Sequence, residues 1–176
     1  QWIEEAYVKA SNAEAGDNFG SAVALTVSSI LVEGLSGPFG IETATLVVGA
    51  PHEDSNATVV DGDEANNGAP SSGAAYVFSS FSFSGIFVGP WEQDAYLKAS
   101  NTESTDAFGS SVAIVRGAVV VGAPAEDSDA GGINGPQGNN NALGSGAAYV
   151  FFDDGSSNWA QEAYVKASNT GAFDNF

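Results

Sequence analysis

An all-β chain of four-stranded antiparallel repeat units is predicted by three observations. An eleven-residue segment occurs three times, at Trp2 to Asn12 (WIEEAYVKASN), Trp91 to Asn101 (WEQDAYLKASN) and Trp159 to Asn169 (WAQEAYVKASN), with seven positions identical in all copies. A phenylalanine lies 17 positions after each of these tryptophans, at Phe19, Phe108 and Phe176. Between the copies lie short Val-rich runs broken by turns, in a chain with Gly 22 and only 15% charged residues. Tandem identity of this kind marks a repeat architecture, and short runs between turn signals mark strands.

The elements follow in a fixed order. Phe19-Gly20 opens FGSAVAL, and Phe108-Gly109 opens FGSSVAI. Gly49-Ala50-Pro51 closes TLVVGAP, and Gly122-Ala123-Pro124 closes AVVVGAP. A polar loop then leads to SGAAYVF, with 27 positions from Gly49 to Tyr76 and again from Gly122 to Tyr149. The Trp segment supplies the fourth strand of each unit. Its period of two places Trp91, Ala95, Leu97 and Ala99 on one face and Tyr96 and Lys98 on the other. Lysine recurs there at Lys9, Lys98 and Lys166. On an edge strand that placement reads as protection against edge-to-edge pairing.

The boundaries follow from these landmarks. Residues 1–18 form the outer strand of a preceding or closing unit, and 19–101 the first full unit. Residues 108–169 form the second, and 170–176 begin another. Trp2 to Trp91 spans 89 positions and Trp91 to Trp159 spans 68, so the first unit carries insertions. The larger, at about 26–44, contains Gly37-Pro38 and reads as an extra hairpin. The smaller lengthens the third strand toward Trp91, and its Phe/Ser alternation aligns Phe81, Phe83 and Phe87 along one side. Four short strands per repeat, with small residues at Ala74, Ala75, Ala147 and Ala148 for close sheet contact, predict β-propeller-type blades. The chain holds two full blades with partial repeats at both ends.

Composition excludes several function classes. With 22 acidic and 4 basic residues the net charge is -18, which rules out the basic footprint of a nucleic-acid binder. Such acidity fits solubility in a salty medium or divalent-cation binding. Cysteine and methionine are absent, and no apolar run is long enough to span a bilayer. A chain that opens at Gln1 inside a repeat strand reads as a processed product or a segment of something longer. A single histidine and no cysteine leave no triad for nucleophilic catalysis.

The order Phe19-Gly20, Gly49-Ala50-Pro51, then a Tyr-Val-Phe strand, repeated at Phe108-Gly109 and Gly122-Ala123-Pro124, resembles the FG-GAP repeat family. Those β-propeller repeats occur in integrin alpha subunits and secreted bacterial proteins. The strands at Trp2, Trp91 and Trp159 look like the bacterial branch. The resemblance implies an extracellular or cell-surface setting. In integrin-type members a calcium loop lies between the Phe-Gly and Gly-Ala-Pro strands. Here Val112 to Gly122 has no carboxylate, and the first insertion offers only Glu33 and Glu42, so that site does not carry over.

The most acidic stretches are instead the loops after Gly-Ala-Pro. Asp54, Asn56, Asp61, Asp63 and Glu64 in the first, and Asp127 and Asp129 in the second, offer oxygen ligands of the kind Ca2+ takes. The same residue types also form solvated turns. Glu53-Asp54 and Glu126-Asp127 repeat in each blade, which argues for a structural rather than a catalytic role. The expected function is an extracellular structural or adhesive repeat protein without catalysis. It associates with copies of itself or with neighbouring repeats and does not insert into membranes. A calcium-dependent module for a protein or glycan ligand, and a non-catalytic fragment of a larger secreted enzyme, are the alternatives.

Overall fold

A computed structural model describes residues 4–34, 37–83, 86–87 and 89–176. Trp2 lies outside them. Among the described residues nine strands form two antiparallel sheets: β1 (Ala22–Gly34), β2 (Gly37–Ala50), β3 (Ala74–Phe83), β4 (Ile86–Phe87) and β5 (Glu92–Leu97) in the first, and β6 (Ser111–Val115), β7 (Ala118–Ala123), β8 (Ala147–Asp153) and β9 (Trp159–Val165) in the second. The common frame is a meander. It runs Phe-Gly strand, Gly-Ala-Pro strand, Tyr-Val-Phe strand and Trp strand, each paired with the next.

The insertion at about 26–44 does not add a separate hairpin. It continues β1 and β2 in unbroken register out to the Gly34–Gly37 pair. The same connection in the second blade is a two-residue turn. Arg116 (φ 44°) and Gly117 (φ 77°) join Val115 to its partner Ala118. Two successive positive φ values match the right-handed twist of a tight hairpin. The smaller insertion extends β3, onto which β4 folds back through Ser82–Phe87 and Phe83–Ile86. Phe83 stacks on Phe39 with ring centres 4.7 Å apart. Phe81 and Phe83 are about half exposed, and the Phe87 side chain lies outside the described residues.

The blades pack face to face. Val47, Ala75, Val77, Ala95 and Leu97 of the first meet Phe108, Val121, Tyr149, Phe151 and Trp159 of the second in one buried cluster. The other face of the first blade, with Val48, Tyr76, Phe78 and Tyr96, is covered in part by Val8 and Ala10. Small side chains on one sheet let the aromatics of the next approach closely.

The Trp strand departs from simple alternation. Register shifts between Val77 and Phe78 and between Val150 and Phe151, so Ala95 faces Val77 while Gln93 faces Phe78. A bulge at Asp94, and at Glu162 in the second blade, inserts one residue and reverses the side-chain phase beyond it. Trp91 therefore packs with Tyr76, Phe78 and Tyr96 rather than with Ala95 and Leu97.

Candidate functional site

Two of the repeated lysines, Lys98 and Lys166, are buried and do not guard an edge. Lys98 is 1% exposed and its Nζ lies 3.1 Å from Glu53 Oε2. Ser55 O, Ser72 Oγ and Gly73 O complete its shell at 2.7–2.8 Å. Lys166 repeats the arrangement, 2.6 Å from Glu126 Oε2 and 2.6 Å from Ser145 Oγ. Each lysine lies one residue past its strand, where the chain turns inward over the acidic loop. The long stem carries the ammonium inward, where that of Lys98 meets the carbonyls of Ser55 and Gly73. Lys9 is exposed and forms no ion pair among the described residues.

A third partner comes from the preceding repeat. Asn12 donates to Glu53 Oε1 at 3.1 Å and accepts from the Tyr76 hydroxyl at 2.7 Å. Asn101 does the same one blade later, to Glu126 Oε1 at 2.9 Å and from Tyr149 at 2.7 Å. Each blade therefore carries a buried Glu–Lys pair and a Tyr hydroxyl that together receive an asparagine from the segment before it. Burial lowers the affinity of Lys98 for its proton, and the Glu53 charge opposes that shift. Burial likewise raises the Tyr76, Tyr96, Tyr149 and Tyr164 hydroxyls, so all four stay protonated at neutral pH.

The Phe-Gly and Gly-Ala-Pro residues form the backbone crossing beside this network. Phe108 packs edge-on against Tyr149 and Phe151, as Phe19 does against Tyr76 and Phe78. Phe108 N donates to Ser72 O at 2.9 Å and Gly109 N to Gly122 O at 3.0 Å, while Gly20 N donates to Gly49 O. Ala50, Ala123 and Trp159 are buried, Trp91 is half-buried, and Pro51 and Pro124 enter the loop turns.

The acidic loops use their side chains locally. Asp54 accepts from Ser71 N and Asp127 from Gly144 N, both at 2.7 Å. Asp61, with φ 53°, accepts from Tyr96 N at 2.8 Å and so pins its loop to the first blade's Trp strand. Asp63 accepts from Ala65 N, Glu64 from the Ser11 hydroxyl and Asp129 from Asn141 Nδ2. The Asn56 backbone N–H donates to the Asn66 side chain. Among the described residues no three acidic or histidine side chains converge as a metal cage requires.

Sequence reading passed over one repeated acid, two residues before Phe19, Phe108 and Phe176: Asp17, Asp106 and Asp174. Each accepts from a backbone N–H three residues earlier, at Glu14, Glu103 and Gly171. The signal was present in the repeat alignment, where this position is Asp in all three copies. Asp106 is buried at the joint, and that burial pushes its carboxyl up to about 7. The Glu103 N–H opposes the shift and Glu126, Glu103 and Asp127 add to it. Folding therefore takes up a proton between the ordinary carboxyl value of 3.8 and about 7. The stability this group contributes is complete below that lower value and is lost as pH rises through about 7. Thermal unfolding should occur at falling temperature from pH 5 to 8. Asp106→Asn should remove most of that slope, about 3 kcal/mol over the two units between pH 5 and about 7 at roughly 1.4 kcal/mol per pH unit. An unchanged slope in the variant would assign the pH dependence elsewhere.

The family model of the FG-GAP repeat matches residues 91–151, from the Trp strand of the first blade to the Tyr-Val-Phe strand of the second. No curated protein and no solved structure matches the chain. Residues 91–151 match an FG-GAP repeat, and the described residues form an all-β pair of β-propeller-type blades joined through that segment's Trp strand, Asn101 and Phe108.

Proposed function

We propose that the chain is an extracellular or cell-surface structural module, bacterial in origin and without catalysis, that works by continuing its blade stack with copies of itself. One observation carries the assembly reading: positions buried at the internal joint are open at the outer faces. Val47 is 0% exposed, and its counterpart on the outer face of the second blade, Val120, is 39% exposed. On the outer face of the first blade Val23 and Leu25 are 64% and 60% exposed, whereas their counterparts Val112 and Ile114 pack into the joint. The two open faces are thus the same two surfaces that already fit each other. An interface of unlike faces closes into a ring or grows into a filament. The surface setting draws on the family likeness and on the acidic, cysteine-free composition. Among the described residues no helix is long and apolar enough to cross a membrane.

Light scattering with negative-stain imaging of the 176-residue chain tests this. With a net charge of -18 on each copy, association should strengthen as salt rises and screens the repulsion. A monodisperse monomer at every concentration and salt level would sink the reading.

A further inference from the structure

Residues 8–12 occupy a seat that the internal joint shows to be a recognition site. Ser11 N donates to Gln93 Oε1 at 3.0 Å and Gln93 Nε2 to Ser11 Oγ at 2.9 Å. Ser100 and Gln161 repeat both bonds at 3.0 and 2.8 Å. Asn12 and Asn101 make matching bonds to Glu53 with Tyr76 and to Glu126 with Tyr149. Ala10 is buried against the first blade as Ala99 is buried in the joint. The cleft beside residues 8–11 is lined by Lys9, Ser11, Trp91 and Gln93, and the joint cleft by Lys98, Ser100, Trp159 and Gln161. Residue for residue these are one site.

The same key occurs a third time, without a lock among the described residues. Ala167-Ser168-Asn169 repeats Ala10-Ser11-Asn12. Ser168 and Asn169 stand exposed beyond β9, and neither side chain is hydrogen-bonded to a blade among the described residues. The hold of residues 8–12 on their seat is one-sided, because Tyr7 is 81% exposed where its counterparts Tyr96 and Tyr164 are buried.

We infer that residues 165–169 of a second copy bind the Tyr76 face of the first blade by displacing residues 8–12 of that chain, with Asn169 taking the place of Asn12 on Glu53 and Tyr76. The inference rests on the assembly reading, and it names both the contact and its gate. The chain's own segment caps the seat, so association proceeds by exchange of equivalent segments rather than by docking onto a vacant face.

A fluorescently labelled peptide of residues 159–170, titrated into the full chain and followed by anisotropy, tests the exchange separately from assembly. Asn12→Ala removes the competing key and leaves the seat intact. The peptide should then bind about tenfold tighter than to the unaltered chain, because Asn12→Ala removes the bonds of residue 12 to Glu53, Glu64 O and Tyr76. Ala10→Asp, which expels the same segment by burying a charge, should give the same gain. A peptide with Asn169→Ala should bind about tenfold more weakly to either variant. Equal affinity for the unaltered chain and both variants, or no binding to any of them, would overturn the exchange even if the chain assembles. Binding as expected by a chain that stays monomeric would overturn the assembly reading alone.

Discussion

Glu53→Ala is expected to lower the unfolding free energy by about 3–5 kcal/mol, a large part of what a domain of this size possesses. The reason is what the substitution leaves behind. Lys98 stays 1% exposed, ringed by Ser55 O, Ser72 Oγ and Gly73 O, without the carboxylate it contacts directly; Asp106 and Asp54 act on it only from farther away. The folded chain must then hold a bare ammonium or release its proton, and both cost free energy. Asn12 loses one acceptor but keeps Glu64 O and the Tyr76 hydroxyl, so the entry segment is weakened rather than freed. A control separates charge from packing. In Glu53→Leu with Lys98→Met both charges go and the volume is largely kept, so the double variant should be more stable than Glu53→Ala. Urea unfolding followed by tryptophan fluorescence gives all the values. A loss under about 1 kcal/mol for Glu53→Ala would mean that the pair is not what holds the loop to the strand.

That network shows where sequence reading stops. The strands, their order and the repeat phase are legible, because periodicity and turn residues are local properties. Lys98 was misread because a lysine in a strand that alternates with alanine looks like an edge guard. Its partner, Glu53, is 45 positions away and belongs to a loop. One clue was available. In a chain with 22 acidic and 4 basic residues, three of the basic ones occupy one repeat position, and a glutamate recurs three residues after each Gly-Ala-Pro alanine. Two charges repeated in phase are a pair candidate. The reversal of Trp91 had no comparable signal, since a bulge leaves the composition of the strand unchanged and alters only which side its residues face. Asn12 and Asn101 were visible as invariant letters, but their role crosses from one blade to the next and needs the stack to be seen.

Gly109→Ala is expected to cost about 2–5 kcal/mol, and Gly20→Ala, the same letter of the same motif, about 1–2 kcal/mol. Both glycines have a positive φ, +92° at Gly109 and +96° at Gly20, so an alanine is strained at either. The surroundings differ. A Cβ on Gly20 meets nothing within 4 Å, whereas one on Gly109 would lie 2.2 Å from Ala74 O and 3.2 Å from Ala50 N. Both neighbours are backbone atoms of the first blade and cannot swing aside. Gly49 and Gly73 close the crossing from the other side, with Cβ positions 1.9 Å from Gly109 O and 2.0 Å from Phe108 O. Phe-Gly and Gly-Ala-Pro are therefore the two halves of one backbone contact between successive blades, and among the described residues Gly20 of the first blade meets no such partner. A side chain at Gly109 must push the blades apart. The joint then loses the aromatic packing of Phe108 on Tyr149 and Phe151. Unfolding should pass from one transition to two as the blades uncouple, while Gly20→Ala keeps a single transition at slightly lower urea. If a second copy occupies the outer face of the first blade, the difference between the two variants should shrink under conditions that favour association, because Gly20 then acquires the crowding that Gly109 has in the single chain. Equal costs for the two substitutions in the monomer would show that φ strain, and not the crossing of blade backbones, sets the requirement for glycine.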